Sequence, residues 1–437
     1  MSKDCIREFG FITEQAVEDE ASLNTCVVNS KAWKFLESYA YSNKKEDRFI
    51  RAASFNGKKA LQVKNFVGFI TTPDGTYLEI LPKISEGDQS VEATRKLLIR
   101  MLSAVDDLNF IATTDADVEI FNKPLAEVLI SRFLKELAQV VRKGIRKDYV
   151  NIEKEERFLK GRLLVSQQVK QLTTKQHLFR IAYDFFSDNR AENRLIHSAL
   201  IQIAHWSKSE VNQRIARELR FAFNEIPVSV NYKTDLSQWS ISRDMVGYKA
   251  LLPWVRLILN QQSPFAVKGN QAGISYLFPM EELFEKYVAK MLQKHATPPY
   301  KFETQKRGKY LSIAPEAFLL KPDLALYSSG NLVGILDTKW KLIDQDTKYG
   351  NGSSDIKSGI SQADIYQMFA YGHKYLDGGT GRMMLIYPQW MKFNEDKKFV
   401  LSESQDEIGL TLSVCPFNLY APQKSSEAIL NKLTQRY

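Results

Sequence analysis

The 437-residue sequence is poor in the residues and segments that mark several large classes of protein. Its three cysteines, Cys5, Cys26 and Cys415, are odd in number and far apart. They offer neither a disulfide framework nor a zinc-ligand spacing, which fits a reducing cytoplasm. The five histidines show no metal-ligand spacing either. No apolar run approaches the roughly 20 residues that a bilayer-spanning helix needs, so we expect no membrane segment.

The sequence also lacks the patterns of a signal peptide and of a phosphate-binding loop. The first ten residues carry Asp4 and Glu8 and contain no apolar stretch, so we expect no signal peptide. A phosphate-binding loop of the form G-x-x-x-x-G-K-[ST] is also missing. Gly57 and Gly308 each precede a lysine but lack the earlier glycine and the following Ser or Thr. Any nucleotide-driven motor that acts with this protein must therefore be another chain.

Composition and charge are those of a globular protein with one basic segment. Hydrophobic residues make up 44% of the chain and charged residues 25%, and the length predicts two or three domains. The net charge of +9 is distributed unevenly, with −4 over residues 1–119, +10 over residues 120–263 and +3 over residues 264–437. A DNA backbone attracts such a basic segment, although solvated basic helices give the same count.

The sequence pattern predicts an α+β protein of three domains. Residues 1–119 are predicted to form a β-rich module. In it, Phe66–Thr72 and Thr76–Leu81 have strand patterns and flank a Pro73-Asp74-Gly75 turn, and a helix follows at about Glu92–Val105. We expect this acidic module to bind a protein partner rather than DNA.

The second predicted domain, residues 120–263, is mainly helical and basic. Apolar residues recur at helical spacing from Leu125 to Val141, and the pattern ends in a run of positive charge. The candidate DNA-binding residues of this domain are Arg142, Lys143, Arg146, Lys147 and Arg162. A Gly- and Ser-containing stretch at residues 262–273 is the best linker in the chain. Residues 264–437 then form the third domain, which is predicted to be α/β.

The third domain contains two strands whose ends carry charged residues. Pro322 presets an extended entry, so Asp323 begins a strand, and a short turn leads to a second strand that ends in Asp337-Thr338-Lys339. The hairpin should bring Asp323 near Asp337, and a period of two places Asp337 and Lys339 on one face. The alternative is an ordinary surface ion pair, since aspartate and lysine are common.

Two carboxylates and an ammonium at one strand end suit a particular chemistry. Carboxylates hold a hard divalent cation such as Mg²⁺ (or Mn²⁺), which stabilises charge developing on a phosphate and lowers the pKa of a bound water. The lysine would orient or deprotonate that water, or neutralise the transition state. The sequence therefore predicts a metal-dependent phosphodiesterase site.

Two helices flank this hairpin in the sequence and carry further candidates. The first begins at Pro279 and places Glu285 at the edge of its apolar stripe. The second carries Asp364, Gln367 and Tyr371 at i, i+3 and i+7, on one helical face. Taken alone, each is also compatible with an ordinary helix surface.

The order of these elements resembles that of the PD-(D/E)xK nucleases, in their RecB-like branch. The positions that match the family pattern are Glu285, Asp323, Asp337, Lys339, Gln367 and Tyr371. The resemblance implies metal binding by Glu285, Asp323 and Asp337 and catalysis by Lys339. It implies positioning of DNA or of the active site by Gln367 and Tyr371, and a restriction-endonuclease-like fold for residues 264–437.

Short phrases along the whole chain narrow the resemblance to McrC, the family of nuclease subunits in McrBC modified-cytosine restriction systems. These phrases are FVGFI at 66–70, LEILPK at 78–83, GRL at 161–163, NRL at 193–195, LFE at 283–285 and DIYQ at 364–367. The family implies a partner, a hexameric AAA+ GTPase that reads methylcytosine in double-stranded DNA. GTP would then act only through that partner.

Two other functions stay open on the sequence alone. The chain could be the nuclease of another defence or repair system that works with a helicase or ATPase. It could also be a non-catalytic adaptor that links a motor to DNA, although intact Asp323, Asp337 and Lys339 argue against a relic site.

Overall fold

The structure is a computed structural model. It describes residues 5–14, 23–41, 49–84, 91–105, 124–240, 245–260, 275–306, 308–346, 359–376, 381–402 and 409–434. Among these residues, no helix is both long enough and apolar enough to cross a bilayer. The predicted linker at 262–273 lies outside the described residues.

The described residues form helices and strands in a mixed α/β arrangement, as the sequence pattern predicted. The strands are β1 Cys5–Arg7, β2 Phe11–Thr13, β3 Thr25–Val27, β4 Ile50–Phe55, β5 Lys58–Val63, β6 Phe66–Thr71, β7 Tyr77–Leu81, β8 Asp148–Glu156, β9 Arg162–Leu163, β10 Phe179–Ser187, β11 Ser275–Pro279, β12 Tyr300–Thr304, β13 Lys309–Ser312, β14 Ala317–Leu320, β15 Leu324–Ser328, β16 Asn331–Thr338, β17 Gly381–Pro388, β18 Lys397–Val400 and β19 Leu410–Phe417. The helices are α1 Ser30–Ala40, α2 Val91–Val105, α3 Leu125–Arg142, α4 Val165–Val169, α5 Ala191–Trp206, α6 Glu210–Phe221, α7 Tyr232–Gln238, α8 Val246–Asn260, α9 Met280–His295, α10 Gln362–Tyr375 and α11 Pro422–Thr434.

The chain folds into two compact units. The first unit combines residues 1–125 with 263–437, and the second holds residues 126–262. The two ends of the chain belong to one unit because β11, from the third predicted domain, pairs antiparallel with β6 from the first. One compact unit can contain more than one domain, so the three-domain division stays a prediction.

The N-terminal part of the first unit contains two four-stranded sheets, in the orders β3-β2-β5-β4 and β1-β7-β6-β11. The predicted hairpin is confirmed, since β6 and β7 pair antiparallel around the Pro73-Asp74-Gly75 turn. Gly68 is required within β6, because its φ is +127° and a Cβ there would lie 1.9 Å from the Tyr276 carbonyl oxygen on β11. Apolar side chains from both sheets share one core with α1.

A six-stranded sheet, β12-β15-β16-β17-β19-β18, forms the other main part of the first unit. β16, β17 and β19 are parallel to one another, whereas β12, β15 and β18 run antiparallel to their neighbours. Gly334 on β16 faces Leu433 of α11, and the next residue, Ile335, lies in the core with Met368 and Tyr371 of α10. Because successive strand residues point to opposite faces, α10 and α11 cover opposite sides of the sheet.

The second unit is mainly helical, as predicted, around the buried helix α5. Leu195, Ala199 and Leu200 of α5 are fully buried, and α6, α7 and α8 pack against the helix. The unit also contains a sheet of order β8-β10-β9, which the sequence analysis did not identify. In this sheet β8 and β10 pair over nine residues as a long antiparallel hairpin.

Candidate active site

The predicted hairpin of charged strand ends is present as β15 and β16. Ser329 and Gly330 form its two-residue turn with φ values of +50° and +89°, a backbone conformation that suits a tight hairpin. Leu324 pairs with Leu336, so Asp323 and Asp337 are neighbours at the end of the hairpin opposite to the turn. The hairpin thus brings the two predicted carboxylates together.

Asp337 is the most deeply buried charged group of the site. Its residue is 1% exposed, and its carboxylate accepts a hydrogen bond from the Lys339 ammonium. Burial and the nearby negative charge of Asp323 raise the Asp337 pKa to about 7, although Lys339 acts in the opposite direction. Burial alone would lower the pKa of Lys339, but Asp337 and Asp323 raise it above its usual value. The lysine therefore stays protonated at neutral pH.

Asp323 is held in place by the strand opposite. Its Oδ2 accepts hydrogen bonds from the backbone N–H and the hydroxyl of Thr338, both at 2.8 Å. Burial raises the Asp323 pKa even though the two Thr338 bonds and Lys339 favour the ionised form. Thr338 is the last residue of β16 and lies between Asp337 and Lys339, and its role was not predicted.

Glu285 lies on α9 and is half-buried, with Oε1 accepting a hydrogen bond of 3.1 Å from the Gln305 side chain. Its pKa is raised by burial and then by the charge of Asp323, which also raises the Asp337 pKa. Their oxygens are not gathered around one point, since the described residues contain no group of three or more His, Cys, Asp or Glu that could hold a metal ion.

Gln367 and Tyr371 lie on α10 and tie that helix to the segment before Asp323. The Gln367 side chain donates to the Tyr371 hydroxyl at 2.7 Å, and this hydroxyl donates to the Lys321 carbonyl oxygen at 3.1 Å. Tyr371 is buried, and burial raises its pKa. In the structure both side chains position the backbone at the entrance to β15.

Two groups beside the site were not predicted as part of it. Asp364, noted in the sequence for its helical face and as the start of the DIYQ phrase, is 5% exposed and accepts hydrogen bonds from Lys341 and Tyr387. Trp340, the residue after Lys339, donates its indole N–H to both carboxylate oxygens of Glu8, at 3.1 and 3.0 Å. Nothing in the sequence pointed to this last contact, since the two residues are 332 positions apart.

The predicted DNA-binding residues lie in the second unit. Arg142 ends α3 and Lys143 follows it, and both are exposed, whereas the Arg146 backbone bonds Tyr248 and Asn193. Lys147 forms an ion pair of 3.6 Å with Asp188. Arg162 is exposed on β9. The cluster is positioned at a helix C-terminus as predicted, and its role in DNA binding stays a prediction.

A family model and two solved structures are similar to this chain. The family model for the McrBC 5-methylcytosine restriction system component matches residues 61–388. A chain of the refined half-complex from the tetradecameric assembly of Thermococcus gammatolerans McrB AAA+ hexamers with bound McrC is similar over 98% of this chain and 99% of its own length, with 18% identity and a TM-score of 0.66. A chain of the Thermococcus gammatolerans McrBC complex is similar over 66% of this chain and 86% of its own, with 19% identity and a TM-score of 0.48. No curated protein sequence matches.

Fold and site together define a mixed α/β protein in which one end of a sheet holds a buried aspartate, a half-buried aspartate and a lysine. The family match covers most of the chain, so the protein belongs to the McrBC family of 5-methylcytosine restriction system components. This confirms the McrC resemblance that the sequence motifs indicated.

Proposed function

We propose that this protein is the nuclease subunit of a modification-dependent restriction complex and that it hydrolyses double-stranded DNA at the Asp323–Asp337–Lys339 cluster. The observation that carries the proposal is the convergence of a buried carboxylate, a half-buried carboxylate and one protonated lysine at a sheet end. Their order in the chain is that of the PD-(D/E)xK nucleases. A purely structural cluster has little reason to keep an aspartate whose charge raises the pKa of a buried neighbouring aspartate.

The donor set fits a hard divalent cation. Burial disfavours the ionised forms of both Asp323 and Asp337, and the charge of Asp323 adds to this cost at Asp337. A bound cation would offset that cost. These two residues would hold Mg²⁺ or Mn²⁺, and Glu285 is the third carboxylate within electrostatic reach. When bound, the cation supplies positive charge that stabilises the transition state at phosphorus.

Other residues of the chain would bind the phosphate or hold the carboxylates in place. Lys339 keeps its proton, so among the roles open to it the structure favours donating a hydrogen bond to a phosphate oxygen over acting as a general base. Thr338 fixes the Asp323 carboxylate through two hydrogen bonds. Gln367 and Tyr371 fix the backbone before β15, which keeps Asp323 in register with Asp337.

A motor partner is part of the proposal, because the chain has no phosphate-binding loop of its own. The solved assembly with a similar chain contains McrB AAA+ hexamers, and a hexameric AAA+ GTPase is the partner that we propose here. It would use GTP and carry the reader of methylated cytosine.

The hairpin of the second unit offers a surface for this partner. Tyr149 and Phe186 are 70% and 52% exposed, and their rings pack 4.9 Å apart across β8 and β10. Val150 and Phe185 beside them are also exposed. Clustered exposed apolar side chains of this kind mark protein-binding surfaces. We therefore place a partner contact on this hairpin, in addition to the one expected for residues 1–119.

The test is cleavage of methylated and unmethylated plasmid by the purified chain with Mg²⁺. The reaction is run with and without the AAA+ GTPase encoded with it and GTP, and Lys339→Ala is the matched variant. We expect cutting that requires partner, GTP and methylation and that Lys339→Ala abolishes.

Each other outcome excludes part of the proposal. Cutting by the chain alone would point to a nuclease of a different defence or repair system. Cutting by Lys339→Ala at the wild-type rate would place the active site elsewhere. No cutting under any condition would leave the adaptor function.

A further inference from the structure

A second lysine–carboxylate pair lies directly beside the candidate active site. Lys341 follows Lys339 by two residues, and its ammonium donates to both oxygens of Asp364, at 2.9 and 2.8 Å. Asp364 lies in the first turn of α10, where Oδ2 also accepts a 2.8 Å hydrogen bond from the buried Tyr387 hydroxyl. The carboxylate is thus fixed from two sides.

The two members of this pair differ strongly in exposure. The Lys341 side chain is 47% exposed, whereas the Asp364 side chain is 7% exposed. An ammonium group has three N–H donors, and Asp364 takes two of them. Asp364 therefore holds Lys341 in one place while leaving one N–H and much of its charge for a ligand from solvent.

The pair is close to the acidic cluster. The negative charge of Asp364 contributes to raising the pKa of both Asp337 and Lys339. Lys339 is itself hydrogen-bonded to Asp337, and the proposed function assigns its other donors to the scissile phosphate. A DNA strand that crosses this strand end brings more than one phosphate, and Lys341 is an exposed cation beside the cluster.

We propose that Lys341 binds a backbone phosphate next to the scissile one and that Asp364 is a positioning residue that aims the Lys341 ammonium. This inference rests on the proposed function, since it requires DNA at this end of the sheet. The competing explanation is that Lys341 only neutralises a buried carboxylate.

The experiment is duplex DNA binding by the chain in complex with its partner, with Ca²⁺ in place of Mg²⁺ so that no DNA is cut. The dissociation constant is measured over a series of KCl concentrations. Each protein–phosphate contact adds about 0.9 to the slope of log K against log salt concentration. We expect the magnitude of this slope to be about 0.9 lower in Lys341→Gln than in wild type. Lys341→Arg keeps the positive charge, so its slope should equal that of wild type.

The double variant Lys341→Gln/Asp364→Asn separates the two explanations, because it removes the buried carboxylate together with its cation. If Lys341 binds phosphate, the slope stays lowered in the double variant. If Lys341 serves only Asp364, the double variant binds DNA with the wild-type slope, and the inference is wrong. Lys432→Gln is the matched control, since Lys432 is a partly exposed lysine that pairs with Asp396.

A rate measurement tests the positioning role. Asp364→Asn keeps the Lys341 charge but loosens it, so we expect the salt slope to stay within about 0.3 of wild type while the single-turnover cleavage rate with Mg²⁺ falls about tenfold. A wild-type rate in Asp364→Asn would overturn the positioning role. If wild type cleaves DNA and the Lys341→Gln slope is unchanged, the inference alone fails. If wild type neither binds nor cleaves duplex DNA, the proposed function fails as well.

Discussion

Replacing Asp337 by asparagine should stabilise the folded protein at alkaline pH while it destroys the candidate active site. The Asp337 carboxyl is buried beside Asp323, and its pKa is raised from 3.8 to about 7. A raised carboxyl pKa means that the folded state binds the proton more tightly than the unfolded state. Stability from this group is therefore complete below about pH 4 and is lost as the pH rises through 7.

The size of the effect follows from the shift. A displacement of about 3 pKa units corresponds to about 4 kcal/mol between the protonated and ionised forms. Asparagine removes this cost but leaves the Lys339 ammonium without the negative charge of its partner, which offsets part of the gain. We expect the free energy of unfolding of Asp337→Asn to be about 2 kcal/mol higher than that of wild type at pH 8, and the difference to be much smaller at pH 5.

The assay is urea unfolding followed by tryptophan fluorescence at pH 5 and pH 8, without divalent cations. Mg²⁺ provides the internal control, because a ligand that binds only the folded state stabilises it by about 2.7 kcal/mol at 100 times its dissociation constant. Mg²⁺ should stabilise wild type and have little effect on Asp337→Asn. A variant that is less stable than wild type at pH 8, or a difference that does not change with pH, would refute this reasoning.

Three further predictions concern other parts of the chain. Burial raises the Glu8 pKa to about 7, so ionisation of Glu8 should lower the wild-type free energy of unfolding by up to about 3 kcal/mol between pH 4.5 and 7. Glu8→Gln should not show this pH-dependent loss in the same unfolding assay. The double reversal Arg142→Glu/Lys143→Glu should weaken DNA binding and lower its salt slope by about 2, and an unchanged slope would mean that the cluster does not contact phosphate. Tyr149→Ser/Phe186→Ser should lower the chain's affinity for its AAA+ partner at least tenfold in a pull-down titration, and wild-type affinity would exclude this hairpin from the contact.

The elements that sequence predicted well are those set by local pattern. The β6–β7 hairpin has turn residues between two alternating strands, and α10 carries its functional face at helical spacing, so both follow from neighbouring residues. The pairing of Asp323 with Asp337 could also be predicted, because a short turn joins the two strands. The family is confirmed, whereas the roles of the individual site residues stay predictions.

What sequence did not reveal depends on contacts between distant segments. Glu8 entered the sequence analysis only as a charge near the N-terminus, yet it bonds the indole of Trp340 beside Lys339. Gln305 directly follows β12, and its side chain donates a hydrogen bond to Glu285 on α9. The β8–β10 hairpin was missed because charged residues interrupt the apolar alternation of β8. Such features depend on the tertiary structure, which the local hydrophobic pattern of the sequence does not report.

The most direct test of the central claim is the single-turnover cleavage rate of a methylated duplex by the complete complex with GTP and Mg²⁺. It compares wild type, Asp337→Asn and the control Asp396→Asn, whose carboxylate lies in an exposed ion pair with Lys432. If Asp337 belongs to the active site, its variant loses at least a thousandfold in rate while staying folded, and Asp396→Asn stays within twofold of wild type. An Asp337→Asn complex that cuts at a rate within tenfold of wild type would contradict the account.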